Sequence, residues 1–248
     1  MTIDGIDAVN QILGANFRAD DLYLMRNLER LLEGDGGVHV LTYNWGGNTS
    51  DTTTHVAALR TILRNDYTYV RARGGRFVIV AHSWGTVLAY LALAFESRGA
   101  DPIIPDLFIT LGSPLGAFEA VREPGALTSD RSAAELIVID ELGDEIQAFN
   151  PSECTSGRSV SCAPRGRRQI NFWAWSDPVS GPIRGAWENY RVDTTAYVSA
   201  DFARSMTSSN RGSISLLITW HTFESLDFNA VPNNAVLRQA VRNLILGR

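Results

Sequence analysis

The chain has 248 residues, 45% of them hydrophobic and 20% charged, with a formal net charge of −5. That is the composition of a globular protein long enough for one large core and short for two. The modest negative charge argues against a nucleic-acid-binding role, and no apolar run reaches the length of a membrane-spanning helix. The first residues carry no basic segment followed by an apolar one, so no secretion signal is expected. The chain therefore reads as cytoplasmic or as an exported protein already trimmed. Cys154 and Cys162, separated by seven residues in a polar stretch, fit a disulfide-closed loop and a pair of free thiols equally well. No histidine stands near them, so no zinc site is expected there.

In chain order, residues 1–5 have room only for a short strand. Residues 20–33 place apolar side chains at three- and four-residue steps, the period of an amphipathic helix, and Gly34, Gly36 and Gly37 follow as stop signals. Residues 38–43 predict a second strand, ended by Gly46 and Gly47. Asp51 or Thr52 can cap a helix running through Val56, Leu59, Ile62 and Leu63. Residues 77–80 are four consecutive apolar residues, as in a strand buried on both faces, and from Thr86 the chain turns to Val, Leu and Ala, a helix suited to lie on a sheet.

Leu107–Leu111 predict a fourth strand. Residues 115–168 are rich in Ser, Gly, Arg and Pro, with one helical stretch at 132–149, and read as a lid-like insertion over the sheet. A fifth strand is predicted at 170–175 and a sixth at 190–198, residues 216–220 fit strand or helix, and Ala235–Leu246 form a closing amphipathic helix. Strands alternating with helices predict an α/β fold: a mainly parallel sheet of about six strands, flanked by helices, in a single domain over 1–248. Ligands of such sheets sit at the carboxyl ends of the strands.

Between the third strand and its helix stands Ala81-His82-Ser83-Trp84-Gly85. A serine on a tight strand-to-helix turn needs small residues two before and two after it, because neighbouring backbone crowds both positions. The turn lifts the hydroxyl above the sheet edge and aims the first amides of the helix at whatever binds there. The segment resembles the nucleophile elbow of the α/β-hydrolase superfamily, with Ala81 where glycine is commonest. Thr110-Leu111-Gly112-Ser113-Pro114-Leu115-Gly116 is similar to the matching segment of lipases and acyltransferases of the lecithin–cholesterol acyltransferase and glycosylphosphatidylinositol-deacylase type. The resemblance implies an α/β-hydrolase fold with a shortened N-terminus. It also implies a serine esterase or lipase that needs no cofactor or metal and acts on a small-molecule or lipid ester.

A serine hydroxyl needs a base, and the base needs an acid to fix its tautomer. The chain has four histidines. His82 adjoins the serine, His39 falls within a predicted strand, and His55 lies on an early helix. Only His221 follows Ser83, and the superfamily order is serine, acid, histidine. Asp177, directly after the fifth strand, is the candidate acid, because Asp177-Pro178-Val179 resembles the acid turn of lipase-like hydrolases. Asp140, Glu141, Asp144, Glu188 and Asp193 are its rivals.

By the same resemblance the oxyanion hole combines the amide of Trp84 with that of Ile6, Asp7 being the alternative, although Asp4 stands where relatives carry histidine. Ser113 is read as pocket wall, since Pro114 has no N–H to offer an oxyanion. Trp45, Leu115 and Trp173, with Leu136, Ile137, Ile139 and Leu142 of the insertion, can line an acyl site or serve as ordinary core. Acyl transfer, thioester or amide cleavage share the same triad, and a hydrolase-like binding protein without turnover is the alternative from another class.

Overall fold

The computed structural model describes residues 1–3, 23–43, 52–96, 101–115, 169–174, 177, 180–183, 188–192, 226, 228 and 234–248. In chain order these hold β1 (Thr2–Ile3), α1 (Tyr23–Leu31), β2 (Thr42–Tyr43), α2 (Thr52–Arg71), β3 (Val78–His82), α3 (Trp84–Glu96), β4 (Leu107–Leu111), β5 (Gln169–Trp173), β6 (Glu188–Arg191) and α4 (Ala235–Leu246).

The strands form one sheet in the order β2-β1-β3-β4-β5-β6, with every neighbouring pair parallel. An all-parallel sheet must be covered on both faces, and two apolar clusters do this. On one face Ile3, Ile79, Ala81 and Phe108 pack with Val56, Leu59 and Leu63 of α2 and with Val87, Leu88 and Leu91 of α3. On the other, Val80, Ile109, Leu111, Ile170 and Phe172 pack with Leu24 and Leu28 of α1 and Leu237 and Val241 of α4. Val87 through Leu93 are buried at every position, because α3 is apolar around its whole circumference.

Polar contacts fix how the helices sit. Glu96 at the end of α3 is buried and accepts a hydrogen bond from Arg60 Nε at 2.7 Å and from Arg64 Nε at 3.0 Å, both on α2. Burial pushes the Glu96 carboxyl up, but the hydrogen bonds and charges of the two guanidinium groups outweigh it and hold the group below its ordinary value. Arg242 of α4 forms a two-pronged pair with Asp35 in the loop after α1, at 3.0 and 2.8 Å. α4 stops where Gly247 turns left-handed at φ 73° and Arg248 donates its N–H to Asn243 O at 2.8 Å.

Chain order and sheet order part company once: β1 has β2 on one flank and β3 on the other. In sheets of this kind ligands sit at the carboxyl ends of the strands beside such a switch point, and Ser83 directly follows β3.

Several predicted bounds are corrected. The strand expected over 38–43 is confined to Thr42–Tyr43, and His39 lies in an exposed loop rather than in a strand. β3 runs on to His82 and α3 begins at Trp84, so the turn between them is the single residue Ser83. β5 starts one residue earlier than 170 and ends at Trp173, and β6 spans Glu188–Arg191, while residues 193–198 of the expected sixth strand lie outside the described residues. The stretch 116–168 with its helical island at 132–149, and residues 216–220, lie outside the described residues.

Candidate active site

Ser83 has φ 55°, and Leu226 is the other non-glycine residue with a positive φ among those described. A left-handed conformation costs a residue with a side chain about 1–2 kcal/mol, so its surroundings must hold it. They do so from two sides. The Ser83 N–H donates to Leu111 O at 3.0 Å, and its carbonyl accepts the Thr86 N–H at 3.0 Å and the Thr86 hydroxyl at 2.7 Å.

Because the Thr86 hydroxyl hydrogen goes to that carbonyl, the 2.7 Å contact between Thr86 Oγ1 and Ser113 Oγ has one donor, Ser113. Ser113 Oγ in turn accepts the Leu115 N–H at 3.3 Å. The line Leu115 N–H, Ser113, Thr86, Ser83 carbonyl thus has one consistent direction, and it ties the segment after β4 to the elbow. Ser113 is fully buried and its hydroxyl is committed, so it braces the turn at Ser83.

The Ser83 Oγ is buried and has no hydrogen-bond partner among the described residues. An unpartnered buried hydroxyl costs about 1–3 kcal/mol, so the site bears two local penalties on one residue. Trp84 opens α3, and helix geometry leaves the N–H groups of a first turn without intrahelical acceptors, at the positive end of the helix dipole. Leu115 is buried in the same apolar cluster as Trp84.

Asp177 is 1% exposed, in a compact turn beyond β5. Its N–H donates to Ala174 O at 3.2 Å, the Ser180 N–H donates to Asp177 O at 3.2 Å, and the Ala174 N–H donates to Ser180 Oγ at 3.3 Å. A carboxylate buried this far stays charged only when paired or hydrogen-bonded. Trp173, half-buried at the end of β5, has the Arg191 guanidinium 5.9 Å from its ring centroid.

Ser83, Leu115 and Asp177 follow β3, β4 and β5, three adjacent parallel strands, and so share the carboxyl edge of the sheet, as does Trp173. His221, Ile6 and Trp45 lie outside the described residues, as do Asp140, Glu141, Asp144 and Asp193. Glu188 opens β6 and so stands at the amino edge, opposite Ser83, with the Tyr190 hydroxyl bonded to it. His82 is buried and pairs in register with Leu111, on the α1 and α4 face. His55 lies in the first turns of α2, where the Tyr43 hydroxyl donates to its carbonyl at 3.1 Å and sits 3.2 Å from Nδ1.

A cavity of about 400 Å³ lined by Met1, Leu32, Val38, Arg73, Phe77 and Ile245 opens at the amino edge, away from this chemistry. Among the described residues no group of three or more His, Cys, Asp or Glu is placed to hold a metal ion, and no helix is long and apolar enough to cross a membrane. Sequence reasoning passed over Thr86 and Asn171. The available signal was a single polar residue inside an otherwise apolar run at each position.

The model of the alpha/beta hydrolase family matches residues 14–230 of this chain. No curated protein and no solved structure gives a significant match.

Proposed function

Because this chain belongs to the alpha/beta hydrolase family, we propose that it is a serine hydrolase of carboxylic esters. Ser83 Oγ attacks the acyl carbon while His221 takes its proton, and Asp177 holds the imidazole in the tautomer that can accept it. The amides of Trp84 and Ile6 bind the oxyanion of the tetrahedral adduct. Collapse of the adduct breaks the bond to the alcohol oxygen, and the alcohol leaves with the proton from His221. Water, deprotonated by the same imidazole, then attacks the acyl-serine and releases the carboxylic acid. Trp45, Leu115 and Trp173 line the acyl side of a small-molecule or lipid ester, and residues 115–168 cover it as a lid.

The observation that carries this reading is the state of Ser83: left-handed backbone and a buried hydroxyl with no partner among the described residues, on a one-residue turn into a buried helix. Neither feature helps the fold, and both serve a nucleophile. A fluorophosphonate probe tests it. The wild type should be labelled on Ser83, and Ser83→Ala should take no label and hydrolyse 4-nitrophenyl esters slower by on the order of 10⁴-fold or more. Label on another serine, or hydrolysis that survives Ser83→Ala, would end the proposal. A chain-length series of the same esters then defines the acyl group.

A further inference from the structure

A row of polar side chains crosses the sheet close to the proposed acid. Thr110, Asn171 and Asn189 are register partners on β4, β5 and β6, in line with Ala81, so they lie on the face covered by α2 and α3. Thr110 Oγ1 donates to Asn171 Oδ1 at 2.9 Å. Asn171 Nδ2 uses both of its hydrogens, one on Asn189 Oδ1 at 2.9 Å and one on Gly181 O at 2.9 Å. Asn189 closes the figure: its Oδ1 accepts the Ile183 N–H at 2.8 Å and its Nδ2 donates to Ile183 O at 2.9 Å. The two amides therefore grip residues 181–183 at both ends.

That segment leads away from Asp177. β5 and β6 are parallel, so the chain between them must return from the carboxyl edge to the amino edge across one face. Its backbone groups have no ladder partner there, and buried backbone groups must be bonded to something. Apolar packing fixes how far such a segment lies from the sheet, whereas hydrogen bonds also fix its direction and its slide along the strand. The path back to the acid is short. Gly181 follows Ser180, whose N–H is bonded to Asp177 O and whose hydroxyl is bonded to Ala174 at the end of β5.

We propose that Asn171 and Asn189 are positioning residues for Asp177, clamping the loop beyond it so that its carboxylate keeps the orientation the imidazole requires. This rests on the reading of Asp177 as the triad acid. Catalytic groups tolerate only about half an ångström of misplacement, so a clamp on the loop acts on rate.

The test is a double-mutant cycle of Asn189→Ala and Asp177→Asn in the full chain, with 4-nitrophenyl butyrate as substrate and kcat and KM followed against pH. Asn189→Ala should lower kcat by roughly ten- to a hundredfold with KM little changed. The acid limb of kcat/KM should move to lower pH, because a displaced carboxylate supports the protonated imidazole less. In the Asp177→Asn background the same substitution should cost nothing further, since nothing is left to position. Asn189→Asp keeps the acceptor for the Ile183 N–H and for Asn171, and serves as the second arm of the cycle should the alanine variant fail to fold. An equal loss in both backgrounds, or lowered melting with kcat and the acid limb unmoved, overturns the proposal while leaving Asp177 as the acid. Wild-type hydrolysis by Asp177→Asn alone overturns the acid assignment, and this proposal with it.

Discussion

At the scale of single residues, Ser83 carries a left-handed backbone that a side chain disfavours and a buried hydroxyl with no partner among the described residues. Removing the hydroxyl should therefore stabilise the fold even as it removes the proposed nucleophile. Ser83→Ala is expected to gain about 1 kcal/mol in urea unfolding, and Ser83→Gly roughly another 0.5 kcal/mol, the relief of the backbone being partly offset by the entropy of glycine. A fall in stability for either variant, as at an ordinary core position, would mean that the hydroxyl is held by a bond after all. This residue was legible because its signature lies in five consecutive amino acids. Its brace was not. Thr86 and Ser113 are 27 positions apart, and Asn171 and Asn189 are 18 apart. Asn171 and Asn189 meet through strand register, and Thr86 and Ser113 because the adjacent strands β3 and β4 lead into them; hydropathy encodes neither.

Elements follow the same division between local and distant causes. The long helices and the central strands were readable from period and apolar runs, because those patterns record burial on one face or two. Edge strands were misjudged because a strand is a property of a pair. β2 pairs with β1 over two residues, so Val38 to Leu41 stay outside the ladder despite their β-forming composition. β6 pairs with β5 from Glu188, opposite Ile170, to Arg191, opposite Trp173, two residues earlier than its apolar composition begins to show. The α2–α3 contact offers a test at this scale. Glu96→Gln removes the charge that binds Arg60 and Arg64, and should cost about 1–2 kcal/mol at pH 7. The Glu96 carboxyl in the fold is held below its ordinary value of 4.5, so its contribution is complete above that value and is lost as pH falls through the lower one. The gap between wild type and Glu96→Gln in urea melts should shrink between pH 5 and pH 3. A gap that stays constant over that range would assign the effect to packing.

Across the whole molecule, sheet order decides where chemistry can be assembled. Three neighbouring parallel strands deliver Ser83, the Ser113–Leu115 brace and Asp177 to one edge beside the switch point, whereas the cavity at the other edge receives no such set. Residues delivered by different strands and proposed to act on one proton should fail together. Asp177→Asn is therefore expected to lose on the order of 10³- to 10⁴-fold in kcat, and Ser83→Ala at least as much. The double variant should sit at the floor of Ser83→Ala alone, because an acid that orients a base has no work once the nucleophile is gone. Losses that multiplied instead would mean that Asp177 acts outside the triad, as a brace of its own turn through Ala174 and Ser180. Full hydrolysis by Asp177→Asn with none by Asp193→Asn would move the acid from the end of β5 to the stretch beyond β6, and the imidazole would then have to be approached from the neighbouring strand.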